Sequence, residues 1–72
     1  MSEQQRLQQQ GKALIGTRVN FPFETRNGKV QRVGKVIGFS LAGGGNRGWV
    51  LELEIAYRGS GAWCRVNEIT EA

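Results

Sequence analysis

The sequence predicts an all-β fold, a small antiparallel barrel of four or five bent strands. Three observations predict it. Apolar residues recur at every second position over several short segments, which is the period of half-buried strands. Glycine-containing turn sequences separate these segments. The chain has 72 residues, which is room for one domain at most.

Residues 1–12 are predicted to be a flexible, polar, Gln-rich tail. Residues 2–12 contain one apolar side chain, that of Leu7, so a packed helical face is not expected. Ser2 and Gln5 have the spacing of a capping box, and Gly11 is a stop signal, which leaves a short frayed helix as the alternative. The polar composition favours disorder.

The folded domain is expected over residues 13–70 and begins with a hairpin. Apolar residues at odd positions indicate the first strand: Ile15, Val19, Phe21 and Phe23. Pro22 lacks an N–H group for a ladder, so this strand end is expected at an edge or bend. Asn27 and Gly28 both tolerate positive φ and predict a type I′ turn.

The second strand is predicted over residues 29–39, with a change of inward face part-way. Val30 and Val36 are even-numbered, whereas Val33, Ile37 and Phe39 are odd-numbered. One extra residue shifts the alternation by one, so a bulge or bend is expected near Gly34. Residues 40–48 are expected to be a flexible loop. Their segment 43–48 formally matches G-x-G-x-x-G, but a strand and not a helix follows, which argues against dinucleotide binding.

Residues 49–57 have the clearest strand pattern in the chain. Their inward-facing side chains are expected to be Trp49, Leu51, Leu53, Ile55 and Tyr57. Residues 58–61 predict a second hairpin turn, and residues 62–66 a fourth strand with Cys64 inward. Residues 67–69 are expected to form one helical turn that inserts Ile69 into the end of the barrel.

This strand order resembles the SH3-like barrel group. The resemblance rests on residues 34–39, on the strand 49–57 and on the closing segment 63–69, and it implies an SH3-like antiparallel barrel with a short helical turn near the C-terminus. The chain is also similar to the plasmid-type dihydrofolate reductase of that group, whose tetrameric pore is lined by a Gln-Ile-Tyr stretch. The nearest positions here, 62–65, read Ala-Trp-Cys-Arg, so that activity is not carried over.

The composition argues against an enzyme. The chain has no His and no Asp, and one cysteine cannot build an internal disulfide or a structural zinc site. Cys64 without a histidine base is interpreted as a small core residue, and Glu52 and Glu54 as a solvated face. No cofactor and no metal are expected. The absence of a long apolar run predicts no membrane span, and a cytoplasmic location is expected.

The charge is distributed unevenly along the chain. The formal net charge is +4, but residues 1–48 carry eight Lys or Arg against two Glu, whereas residues 49–72 carry two Arg against four Glu. A polarised domain of this kind is typical of phosphate-binding surfaces. The leading expectation is therefore a small nucleic-acid-binding protein, for DNA or RNA, with an accessory or regulatory role. The predicted contact residues are Arg18, Arg26, Lys29, Arg32, Lys35, Arg47, Trp63 and Arg65.

A second function class is left open by the same residues. The basic and acidic parts of two copies can pair, and the edge strand with Pro22 or an exposed Trp63 can form the contact. This alternative is a protein-interaction or homo-oligomeric assembly module that binds no nucleic acid. Sequence does not decide whether Trp63 or Cys64 faces solvent, because a shift of one residue exchanges the two faces.

Overall fold

The computed structural model describes residues 2–44, 46 and 48–72. Its strands form one antiparallel sheet in the order β4-β3-β2-β1-β5. The elements in chain order are α1 (Glu3–Leu14), β1 (Arg18–Thr25), β2 (Gly28–Gly43), β3 (Trp49–Tyr57), β4 (Ser60–Arg65), a 3-10 turn (Val66–Glu68) and β5 (Thr70–Glu71). The predicted all-β class is confirmed. The described strands form an open ladder and not the closed barrel that was expected.

The N-terminal residues form helix α1 instead of the predicted flexible tail. A capping box begins it, because the Gln5 N–H donates to the Ser2 hydroxyl at 3.2 Å and the Ser2 N–H donates to the Gln5 side-chain oxygen at 3.3 Å. Leu7 and Gly11 are buried against the sheet. Composition did not indicate this docking, because one of the two contacts is a glycine whose bare Cα faces the Phe39 ring.

The first hairpin is confirmed, but its turn differs from the predicted one. Arg26 and Asn27 are the turn residues, and among these positions only Gly28 has a positive φ, +110°. The Thr25 hydroxyl accepts a hydrogen bond from the Asn27 N–H at 3.2 Å and donates one to the Gly28 carbonyl at 2.8 Å. This local side-chain bonding replaces the type I′ turn that the Asn-Gly pair predicted.

The bulge of β2 lies at Ile37 and not at Gly34. Val36 pairs with Ile55 and Gly38 pairs with Glu54, so Ile37 is the extra residue. Val33 and Ile37 are both exposed on the face away from the core. Because these two exposed residues are apolar, the sequence pattern counted them as inward-facing and predicted the bulge too early in the strand. Residues 40–43, predicted as loop, continue the strand and pair with β3.

The C-terminal half follows the prediction closely. Arg58 (φ +50°) and Gly59 (φ +79°) form the turn between β3 and β4, as expected for a type I′ hairpin. The 3-10 turn spans Val66–Glu68, and Ile69 packs against the core beyond it. β5 then pairs with β1 through Thr70 opposite Asn20, which places the chain end beside the first strand.

The core lies on one face of the sheet and is closed at one end by α1. Its buried apolar residues are Leu7, Val19, Phe21, Val36, Leu51, Leu53, Ile55 and Cys64. Gly34 lies at the point where β2 passes from pairing with β1 to pairing with β3. A Cβ atom at this position would lie 2.5 Å from the Ile55 Cγ2, 2.7 Å from the Ala56 carbonyl oxygen and 3.0 Å from the Phe21 ring.

We therefore expect Gly34→Ala to lower the free energy of unfolding by about 2–3 kcal/mol, the cost of overpacking a site bounded by backbone. Gly38→Ala is the matched control on the same strand, because its Cβ would meet nothing closer than 3.4 Å and should change stability by less than about 1 kcal/mol. Urea denaturation of both variants measures the difference. Equal stability of the two would contradict the close packing at Gly34.

Gly11→Ala tests whether α1 is docked. Alanine favours an isolated helix by about 1 kcal/mol over glycine, but here its Cβ would lie 2.5 Å from Phe39 Cγ. We expect a net loss of about 1–2 kcal/mol in urea denaturation, because the ring has to move. Gln10→Ala, at an exposed position of the same helix, should be neutral or slightly stabilising. A gain in stability for Gly11→Ala would show that α1 does not pack on the sheet.

Candidate functional site

Strand alternation divides the predicted contact residues between the two faces of the sheet. The face opposite the core, here called the outer face, carries Arg18, Lys29, Lys35, Trp63 and Arg65. Arg32 is opposite Phe21 in the register and therefore lies on the core-side face, where its side chain is exposed. Arg26 is in the turn at the tip of the first hairpin. Arg47 lies outside the described residues.

The first hairpin is the main cationic surface. Its five cations are all exposed: Arg18, Arg26, Lys29, Arg32 and Lys35. Arg18 is directly opposite Lys35 on the outer face, and like charges in this position repel each other. Glu24, opposite Lys29, is the only acidic residue of the hairpin. The hairpin therefore presents cations on both faces and at its tip.

An acidic strand separates this surface from the other predicted residues. On the outer face of β3, Glu52 is opposite Arg65 and Glu54 is opposite Trp63. On the other side of β3, Glu54 is opposite Gly38 of β2. The structure therefore brings Trp63 and Arg65 next to carboxylates, and not next to the cations of the hairpin.

Trp63 is the most exposed large apolar side chain of the described residues, with 54% of its surface accessible. Its neighbour Cys64 is buried, opposite the core residue Leu53. The strand register that sequence left open is thus decided by pairing with β3. Val33 and Ile37 add further exposed apolar area to the outer face.

Three aromatic rings pack together at the end of the core away from α1. The Tyr57 ring centroid lies 5.0 Å from that of Phe23 and 5.6 Å from that of Phe21. The Arg58 guanidinium carbon lies 5.4 Å from the Tyr57 centroid, a cation–π contact. Arg58 was not among the predicted contact residues. The sequence Tyr-Arg-Gly indicated a turn, but it did not indicate that the Arg58 guanidinium would lie over the Tyr57 ring.

Cys64 has the chemistry of a core residue. Burial raises the pKa of its thiol from 9.0 to about 11, and the nearby Glu68 carboxylate contributes in the same direction. The Glu68 carboxylate also accepts a hydrogen bond from the Arg65 N–H at 2.9 Å, which holds it beside the end of β4. The thiol is therefore protonated at neutral pH and is a poor nucleophile.

The described residues contain no group of three or more Cys, Asp or Glu side chains that can hold a metal ion. Within the same residues no pocket is found, and no helix is long and apolar enough to cross a membrane. In comparisons with known proteins, no family model, no curated protein and no solved structure matches the chain.

The raised pKa of Cys64 gives a pH dependence of stability. The neutral thiol is favoured in the folded state, so its contribution is fully present below pH 9 and is lost as the pH rises from 9 towards 11. We expect the free energy of unfolding to fall more steeply over this range in the wild type than in Cys64→Ala, by up to about 1.4 kcal/mol per pH unit. Urea denaturation of both proteins at stepped pH measures the difference. Parallel curves would contradict the raised pKa.

Proposed function

We propose that the protein binds nucleic acid, DNA or RNA, through the phosphate contacts of its first hairpin, in an accessory or regulatory role. One observation carries the proposal. The hairpin places five exposed cations and one carboxylate on a two-stranded ribbon, so phosphates can approach its outer face, its tip and the Arg32 side. A two-stranded β-ribbon is also narrow enough for the major groove of duplex DNA.

The proposed phosphate-binding surface contains fewer residues than the sequence predicted. Glu52 and Glu54 lie between the hairpin and the pair formed by Trp63 and Arg65, and carboxylates repel a phosphate backbone. The residues that we propose to contact phosphate are therefore Arg18, Arg26, Lys29, Arg32 and Lys35. Arg58 beside the Phe23–Tyr57 cluster is a further cation on the core-side face, where an unstacked base can approach an aromatic ring.

We also propose an SH3-like strand arrangement, in which the sheet stays open. β2 pairs with β1 through its first half and with β3 through its second half, and a 3-10 turn precedes the last strand. These features support an SH3-like arrangement. Cytoplasmic location stays a prediction.

A protein-interaction role is the second candidate, and it is favoured by one observation. Val33, Ile37 and Trp63 are exposed on the outer face with accessible fractions of 41%, 48% and 54%. Contiguous exposed apolar surface is typical of interaction sites, and these three side chains share one face of the sheet. Self-association through this face predicts a molar mass that rises with protein concentration in light scattering.

Fluorescence anisotropy tests the nucleic-acid proposal, with labelled duplex DNA, single-stranded DNA and RNA at stepped salt. The double variant Lys29→Gln/Arg32→Gln is expected to weaken binding roughly tenfold at low salt. It should also reduce the slope of log K against log salt by about 1.4–1.8, since each lost phosphate contact contributes 0.7–0.9.

Arg6→Gln/Lys12→Gln is the matched control, because it removes two exposed cations from α1 and the same net charge. Its salt slope should equal that of the wild type. Equal losses in the two double variants would show that only net charge matters and would contradict a hairpin site. Absence of wild-type binding to all three nucleic acids at micromolar protein overturns the proposal.

A further inference from the structure

The outer face has a second feature that nucleic-acid binding does not use. Glu54 on β3 is directly opposite Gly38 on β2, and its carboxylate reaches diagonally to Gly61 on β4, which is paired with Ala56. A Cβ atom on Gly61 would be 2.8 Å from Glu54 Oε2, and one on Gly38 would be 3.4 Å from Oε1. The two carboxylate oxygens thus lie over the bare backbone of two different strands. Neither glycine has a side chain that could cover these oxygens.

Exposed apolar side chains border this carboxylate on both sides. Trp63, directly opposite Glu54 on β4, is 54% accessible. On β2 the bulge residue Ile37 precedes Gly38 and is 48% accessible. Side chains opposite each other across an antiparallel pair have Cβ atoms about 4.5–5.5 Å apart, so the indole and the carboxylate can contact one ligand group together.

The chemistry of these groups selects a cation. A carboxylate pairs with a guanidinium through two parallel hydrogen bonds. An indole face attracts the same cation and packs on the methylene groups of its stem. A phosphate is excluded by the charge of Glu54, and an uncharged apolar ligand would leave this carboxylate without a partner.

We infer that Glu54 and Trp63 form a binding site for an arginine side chain presented by a partner protein, with Ile37 as the apolar border. Charge complementarity carries the inference, because the negative carboxylate of Glu54 lies opposite an exposed indole and this pair suits a cation. Arginine suits the site better than lysine, because its planar guanidinium both stacks on the ring and pairs with two oxygens. This site is independent of the hairpin that the proposed function uses.

NMR titration of the full ¹⁵N-labelled chain with a short acetylated and amidated arginine peptide tests this site. The protein has two tryptophans, so its indole N–H signals can be assigned with Trp63→Phe. We expect the Trp63 indole signal to shift on titration while the Trp49 signal shifts little. Glu54→Gln is expected to weaken binding by tenfold or more, through the loss of a charge-assisted pair.

Glu52→Gln is the matched control, because it removes the same charge from the outer face of the same strand, opposite Arg65. It should keep affinity within about twofold of the wild type, and a citrulline peptide, isosteric but uncharged, should not bind. Amide spectra of each variant confirm the fold. Equal binding of the citrulline peptide, or equal losses in the two glutamine variants, would overturn the site.

Two further outcomes separate the alternative occupants. A Trp63 signal that moves with protein concentration alone would assign the surface to a second copy of this chain and overturn the partner-protein inference. The inference would also be overturned if single-stranded DNA shifted the Trp63 signal and displaced the arginine peptide from the protein. The hairpin variants test only nucleic-acid binding, and their result does not change the outcome of the Trp63 titration. Each proposal can therefore be contradicted without the other.

Discussion

The contact of Gly34 with Phe21 and Ile55 is the constraint on which the rest of the structure depends. These side chains come from β1 and β3, and both occupy space that a Cβ atom on Gly34 would need. One strand of 16 residues can therefore pair with β1 through its first half and with β3 through its second half. A small domain has few core residues, so losing this contact would separate the hairpin from the remainder of the core.

The same pairing determines which charges meet on the outer face. The hairpin cations lie on β1 and the first half of β2, whereas Glu52 and Glu54 lie on β3. β4 adds Trp63 and Arg65 on the far side of those carboxylates. The outer face therefore has a cationic part and a part that combines acid with aromatic surface. The two parts suit different ligands, phosphate for the first and a guanidinium for the second.

Much of the fold was predictable because local chemistry dictates it. Alternating apolar residues placed β1 and β3, and the Arg-Gly turn placed the second hairpin. Sequence did not place the bulge, since exposed Val33 and Ile37 have the same pattern as core residues. It also did not reveal docking of α1, whose contact at Gly11 depends on the shape of Phe39 and not on hydrophobicity.

By itself, the sequence determined an all-β class, the exclusion of histidine and disulfide chemistry, and a basic first part followed by an acidic second part. It also identified the cations of the hairpin, because their exposure follows from their charge. Only the tertiary structure decided that Trp63 faces outward beside Glu54 and that Cys64 is buried. The physical reason is register: neighbouring residues of a strand point to opposite faces, and pairing with β3 selects which of the two is buried.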